Sequence, residues 1–225
     1  MFERYSLFEI GKLIDRYKLP SGVPKGVKPK YNISPTQLAP VVVMRDGVRV
    51  MESMKWGFVR YRAKDTNSVF RYKTFIAKSE DIFKKNQWEH VAPFNRCLIP
   101  VNGFYEWKKV PGDKEAYHIT TGDRGLFTLA GVYSSWVDPE GKEWGTFAVV
   151  TTKASKELSP LGERMPVILN SEDEAIWLDK SIDDTDALFG LTRSHSFNST
   201  LNINRVGPEV FSAKANKPSL IAKLK

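Results

Sequence analysis

Apolar and polar positions along this chain recur with a period near two more often than with one near 3.6, so short strands outnumber helices in the reading. The first segment is an exception. Leu7, Ile10, Ile14 and Tyr17 fall on one helical face, and Ser6 with Glu9 forms a capping-box pattern, which predicts a helix over 7–17. Residues 19–30, rich in Pro, Gly and Lys, read as a loop, and Tyr31 to Pro35 lead into an apolar strand at 39–44. Asp46-Gly47 turns it into a hairpin with 48–53, and 55–59 continues as strand. A second helix is expected from Glu80 to His90, capped by Ser79, with Ile82, Phe83 and Gln87 near one face. Strands follow at 97–101, 104–109, 116–120 and 127–136, separated by Asn102-Gly103, Pro111-Gly112 and Gly122-Asp123. The run 146–152 is apolar without interruption and reads as a central strand. Ser171 with Glu174 opens a helix through Leu178, and 185–189 forms another that ends at Gly190. The acidic residues between Glu172 and Asp186 suit helix starts and an exposed face. The class is therefore α+β with mostly antiparallel pairing, and without repeats or linkers the reading is one domain over 1–225.

Composition narrows the function classes. With 225 residues the chain is long enough for one sizeable core, burying about 70–75% of its unfolded surface. No apolar run is long enough to span a bilayer, and the first residues lack the basic-then-apolar pattern of a secretory signal, so a cytoplasmic protein with no membrane partner is expected. Cys97 is the single cysteine, which excludes an intrachain disulfide and a cysteine-based zinc site. His90, His118 and His195 lie in unrelated segments without metal-ligand spacing, so neither metal nor other cofactor is expected. A formal net charge of +8 fits either a polyanion partner or a generally basic surface. The cations cluster: Lys25, Lys28 and Lys30 in the first loop, then Arg60, Arg62 and Lys64, then Arg71, Lys73 and Lys78. Tyr61, Phe70 and Tyr72 interleave with them, the mixture expected where phosphates are neutralised and bases stack.

Glu106 is the first candidate for chemistry. It stands among Phe104, Tyr105 and Trp107, and an acid held among aromatic rings loses hydration, which raises its pKa toward the range useful for proton transfer. The alternative is a structural acceptor tied to Arg4 or Arg164. Cys97, beside Leu98 and Ile99, reads as an inert buried thiol rather than a nucleophile.

Six blocks in order, Arg4-Tyr5, Tyr31 to Thr36, Trp56-Gly57-Phe58, Ala77 to Glu80, Arg96 to Trp107 and Arg164 to Leu169, closely resemble the landmarks of the SOS response-associated peptidase (SRAP) family. The resemblance covers nearly the whole chain. It implies a compact α+β fold around a partly barrel-like antiparallel sheet with helices about it, a basic cleft for single-stranded DNA, and recognition of abasic sites. In that family a cysteine at position 2 supplies an amine and a thiol that condense with the ring-opened abasic sugar into a thiazolidine. Here position 2 is Phe2, the family's asparagine aligns with Ile76 and its histidine with Gly162, so only the glutamate, as Glu106, remains of the catalytic set. The resemblance makes Arg4, Lys78 and Arg164 phosphate contacts and Pro35 with Trp56 a platform for a base, the alternative for Trp56 being a core position, while Thr151 at the end of the 146–152 strand reads either as a sugar or phosphate contact or as a strand-end threonine without function. The expected function is non-covalent binding of single-stranded or abasic DNA by a monomer in a DNA-damage response. Residual lyase or peptidase-like activity through Glu106 and the N-terminal amine is one alternative, and an interaction protein on the same fold is another.

Overall fold

The computed structural model describes residues 2–59, 63, 68–85, 88–122, 125–193 and 200–224, with 68 and 70 in backbone only. The chain opens with β1 (Tyr5–Leu7), a 3-10 turn at Ile10–Lys12 and α1 (Leu13–Tyr17), then β2 (Lys30–Ile33), β3 (Leu38–Arg45) and β4 (Val48–Trp56). A short α2 (Ser68–Arg71) precedes β5 (Ile76–Lys78), β6 (Arg96–Val101), β7 (Gly103–Val110), β8 (Asp113–Thr121), β9 (Phe127–Val137) and β10 (Glu143–Lys153). After β11 (Arg164–Pro166) and β12 (Ile168–Leu169) come α3 (Ser171–Leu178), α4 (Thr185–Leu191), β13 (Leu201–Val206) and two further 3-10 turns, Pro208–Phe211 and Pro218–Ile221.

These strands form two sheets. The smaller has the order β13-β8-β7-β1-β2, antiparallel throughout. The larger runs β11-β10-β4-β3-β6-β9-β12, and because β9 also pairs with β10 the strands β10, β4, β3, β6 and β9 close into a ring. Among the described pairings only those of β10 with β4 and β5 are parallel. The expected α+β class with a mostly antiparallel, partly barrel-like sheet is what the chain adopts. Runs without polar interruption mark the barrel: Val41, Val42 and Val43 in β3 and Phe147 to Val150 in β10 have no exposed surface, since both faces of those strands are covered. Among the described residues no helix is long and apolar enough to cross a membrane.

The expected helix over 7–17 is realised only as α1, because tertiary pairing takes its first half. Ser6 lies in β1 with its hydroxyl against His118 Nε2 at 3.0 Å, so it cannot cap, and Glu9 instead accepts from Asn102 Nδ2 at 2.7 Å. The expected helix from Glu80 to His90 is absent among the described residues, Gln87 lying outside them. Separate turns replace it, such as Lys85 N–H to Asp81 and Ala92 N–H to Trp88, and buried Ile82 and Trp88 anchor the segment. The strand expected through 59 stops at Trp56. Gly57 then takes a φ of +139°, and a Cβ there would lie 2.5 Å from Val69 Cγ1, so the chain turns sharply where only glycine fits. In α3 the side chain of Glu174 is not part of an exposed acidic face but is 1% exposed, while Asn170, with no side-chain capping bond, occupies the N-cap.

Candidate functional site

β1 is the strand that assembles the site, since it lies between β2 and β7 with Tyr5 opposite both Ile33 and Phe104. Phe2, just before it, is carried into the core and is 1% exposed. Its ring centroid lies 5.5 Å from that of Trp56 and 5.9 Å from that of Phe104. Trp56 has no exposed surface; Tyr5, Phe75 and Phe147 also pack on it, and its indole N–H donates to the Phe75 carbonyl at 2.8 Å. Of its two sequence readings, the core position is therefore the one observed. Pro35 is buried beside it, in a turn where Thr36 has a φ of 75° and its N–H bonds the Trp56 carbonyl.

Two residues after Phe104, and so on the same face of β7, Glu106 is 1% exposed. Burial pushes its carboxyl up to about 7, against the opposing pull of the positive amino terminus and a hydrogen bond from the backbone at Trp107. Gly162 faces it: a Cβ there would sit 3.5 Å from Glu106 Oε2. Ile76, half-buried in β5, stands opposite Val149 and directly after Phe75, whose carbonyl receives both Val149 N–H and the Trp56 indole. The structure thus ties Phe2, Ile76 and Gly162 to one neighbourhood around Trp56, Phe104 and Glu106. A carboxyl near 7 there can both give and take a proton at neutral pH, but the facing Gly162 brings no side chain to it, and Phe2 and Ile76, elsewhere in the neighbourhood, are hydrocarbon.

A second set gathers where β5, β10 and β11 meet. Thr151 stands opposite Lys78 on one edge of β10 and Pro166 on the other. The Arg164 guanidinium donates to Thr151 Oγ1 at 3.2 Å, to its carbonyl at 2.6 Å, and to both oxygens of Glu80 at 3.2 and 2.8 Å. Burial works against the charge on Glu80, yet the bonds from Arg164 prevail and hold its carboxyl below the ordinary value. Lys78 points to solvent. The expected tie of Glu106 to Arg4 or Arg164 is not what forms: Arg164 engages Glu80 and Thr151, and Arg4 donates to the Glu3 carbonyl at 2.9 Å.

Arg4 also lines a cleft of about 600 Å³ together with Trp107, Phe211 and Lys114. Trp107 and Phe211 meet edge to face at 5.0 Å, and the indole N–H of Trp107 donates to Glu3 Oε1 at 3.0 Å. Phe211 escaped the sequence reading because it sits in a 3-10 turn with no motif, far along the chain from the strand it covers. Cys97 has no exposed surface, and burial pushes its thiol far above the ordinary range, so it is inert. His118 is a core residue beside Ser6, with burial lowering it to about 4, and His90 is at the surface. His195, Arg60, Tyr61, Arg62 and Lys64 lie outside the described residues, as does the side chain of Phe70.

A sequence model described as SOS response associated peptidase (SRAP) matches residues 1–213. Among curated relatives, the abasic site processing protein YoqW of Bacillus subtilis is 31% identical over 224 residues, covering 98% of this chain and 99% of its own. The abasic site processing protein HMCES of Gallus gallus is 32% identical over 183 residues, covering 68% of this chain and 54% of its own. Among solved structures, a Bacteroides thetaiotaomicron protein superposes with a TM-score of 0.86 at 22% identity, each chain covered completely.

Proposed function

This chain belongs to the SOS response-associated peptidase family, and we propose that it is an abasic-site protein that holds single-stranded or abasic DNA without a covalent bond, in a DNA-damage response. One observation carries the non-covalent part. Phe2 is packed at 1% exposure against Trp56 and Phe104, and a thiazolidine needs a thiol beside a free amine. Arg4, Lys78 and Arg164 supply cations for phosphates, with Thr151 as a polar contact between the latter two. The bonds from Arg164 to Glu80 are partly exposed, so a phosphate can displace the carboxylate at small cost.

A salt titration of binding to a labelled single-stranded oligonucleotide carrying an abasic site tests this reading. Three phosphate contacts give a log–log slope of about −2 for a single strand. Denaturing gels of the same mixtures show no retained oligonucleotide. Absence of binding at low ionic strength refutes the binding, and a heat-stable conjugate refutes its non-covalent character.

The raised pKa of Glu106, about 7, favours a second reading in which the amino terminus adds to an abasic aldehyde and Glu106 gives the proton with which the carbinolamine oxygen leaves as water, forming a transient imine. Borohydride reduction separates the two. A trapped adduct lost on acetylating the amino terminus supports the lyase reading, and no adduct, or one indifferent to acetylation, rejects it.

A further inference from the structure

The lysine-bearing loop that follows α1 encloses a second cleft that the site around Glu106 does not use. It has a volume of about 400 Å³, and Lys25, Lys28 and Lys30 line it together with Val27, Leu38 and Ser53. No Asp or Glu is among its lining residues. The volume lies in the range of small-ligand pockets, about 300–1,000 Å³.

The loop is preset. Val27 N–H returns to the Pro24 carbonyl at 3.3 Å, closing a four-residue turn with Gly26 third at a φ of +88°, the left-handed value that favours glycine there. Gly22 N–H closes another turn onto Leu19, and Pro20, Pro24 and Pro29 restrict the chain between them. Lysines carried on a restrained loop lose less freedom when they bind. Lys30 is fixed further, since its ammonium donates to the Leu38 carbonyl at 3.1 Å across the cleft, leaving two of its three N–H groups for another acceptor. Burial lowers its pKa, consistent with an amine partly stripped of water.

We infer that this cleft binds one nucleotide unit, the phosphate against Lys25, Lys28 and Lys30 and the base and sugar along Val27, Leu38 and Ser53. Three cations without a lining acid call for an anion, and the apolar side calls for a framework behind that anion. The unit is either a free mononucleotide or a nucleotide of the bound single strand. The second source rests on the DNA-binding reading and follows from chain continuity: β2, which carries Lys30, runs directly into Ser34, Pro35 and Thr36, and Thr36 bonds Trp56.

The test compares the full chain with a Lys25→Ala, Lys28→Ala variant and with a Lys109→Ala, Lys214→Ala control. Lys25 and Lys28 are exposed and Lys30 is kept, so the first variant retains the fold, which a thermal melt verifies. In one arm thymidine monophosphate is titrated calorimetrically into each protein. In the other, the salt dependence of binding to labelled oligothymidine is measured. A free-nucleotide site shows monophosphate binding that weakens about tenfold or more in the variant and not in the control. A strand site shows the log–log salt slope shallower by up to about 0.7, the share of one phosphate, in the variant alone. Either result supports the inference, and failure of both overturns it. If the unaltered chain does not bind oligothymidine, the DNA reading fails and the monophosphate arm alone decides this one.

Discussion

Glu106 and Glu174 are both 1% exposed, yet they are held in opposite ways. Glu174, in α3, accepts from Arg16 at 3.1 and 2.5 Å and from the Thr128 hydroxyl at 2.5 Å, with Arg49 at 3.6 Å. Those groups come from α1, β4 and β9, so one carboxylate ties a helix to the wall of the barrel. Glu106, in β7, is instead dominated by loss of hydration, and its carboxyl rises to about 7. Burial by itself therefore does not give a carboxylate its role. A buried acid whose charge is matched by arginine is a structural tie, whereas one in which loss of hydration outweighs the groups that favour its charge is poised to exchange a proton.

Removing the ties should produce the largest effect. Glu174→Ala removes the buried carboxylate that Arg16 and Arg49 share, and the loss expected on breaking a buried pair is about 3–5 kcal/mol, the upper end being less reachable here because both arginines keep some exposure. Urea denaturation reads it directly. A loss below about 1 kcal/mol would place the cluster with ordinary surface ion pairs and remove the contrast with Glu106.

The pH dependence of stability is the next lever. Glu106 rises from an ordinary 4.5 to about 7 in the folded chain, so it contributes stability below 4.5 that is lost as pH climbs through 7. His118 falls from 6.5 to about 4, so its contribution is present above 6.5 and lost as pH drops through 4. Each shift corresponds to about 3 kcal/mol, and over pH 4.5–6.5 the two oppose each other. The unaltered chain should thus be nearly flat there, while Glu106→Gln should leave the histidine slope, with stability rising as pH rises. Denaturation midpoints across that window check this. The same rising profile in both proteins, the histidine slope without opposition, would show that Glu106 titrates at its ordinary value.

That difference between the two acids was only half visible in the sequence. Three flanking aromatics marked Glu106 as desolvated, and the marking is correct because alternation along a strand puts Phe104 and the carboxyl on one packed face. Glu174 looked like a helix-start acid on an exposed face, since its partners Arg16, Arg49 and Thr128 are remote in the chain and carry no shared motif. The same limit explains the helices. Ser6 has every local feature of a cap, but pairing between β1 and β7 places it against His118, an interaction 112 residues apart. Barrel strands were legible because two-sided burial writes continuous apolar runs such as Val41 to Val43 and Phe147 to Val150. The short pairing segments β5 and β11 carry no such run, although they bring Lys78 and Arg164 to opposite edges of β10. Trp56 shows the ambiguity that remains: a large aromatic face serves a core or a base equally well, and only its enclosure by Phe2, Tyr5, Phe75 and Phe147 decides.

The smallest effect is expected at Gly162, where a substitution adds one cationic side chain facing Glu106 and so brings it nearer to the arginine-matched Glu174. A Cβ at Gly162 would make ordinary van der Waals contact with Glu106 Oε2, and its backbone φ lies outside the left-handed region, so Gly162→His is sterically admissible. Stability should change by no more than about 0.5 kcal/mol, as for a substitution at a half-exposed position. An imidazolium near the carboxyl favours its charged form, so the titration of Glu106 should move down from about 7, as followed by the carboxyl carbon in an NMR pH series. With Phe2 still in place the variant should form no heat-stable conjugate with abasic DNA, because a restored base does not supply a thiol. A Glu106 titration that stays near 7 would mean that the added ring points elsewhere, and that glycine is there for the path of the backbone rather than as an emptied place in the site.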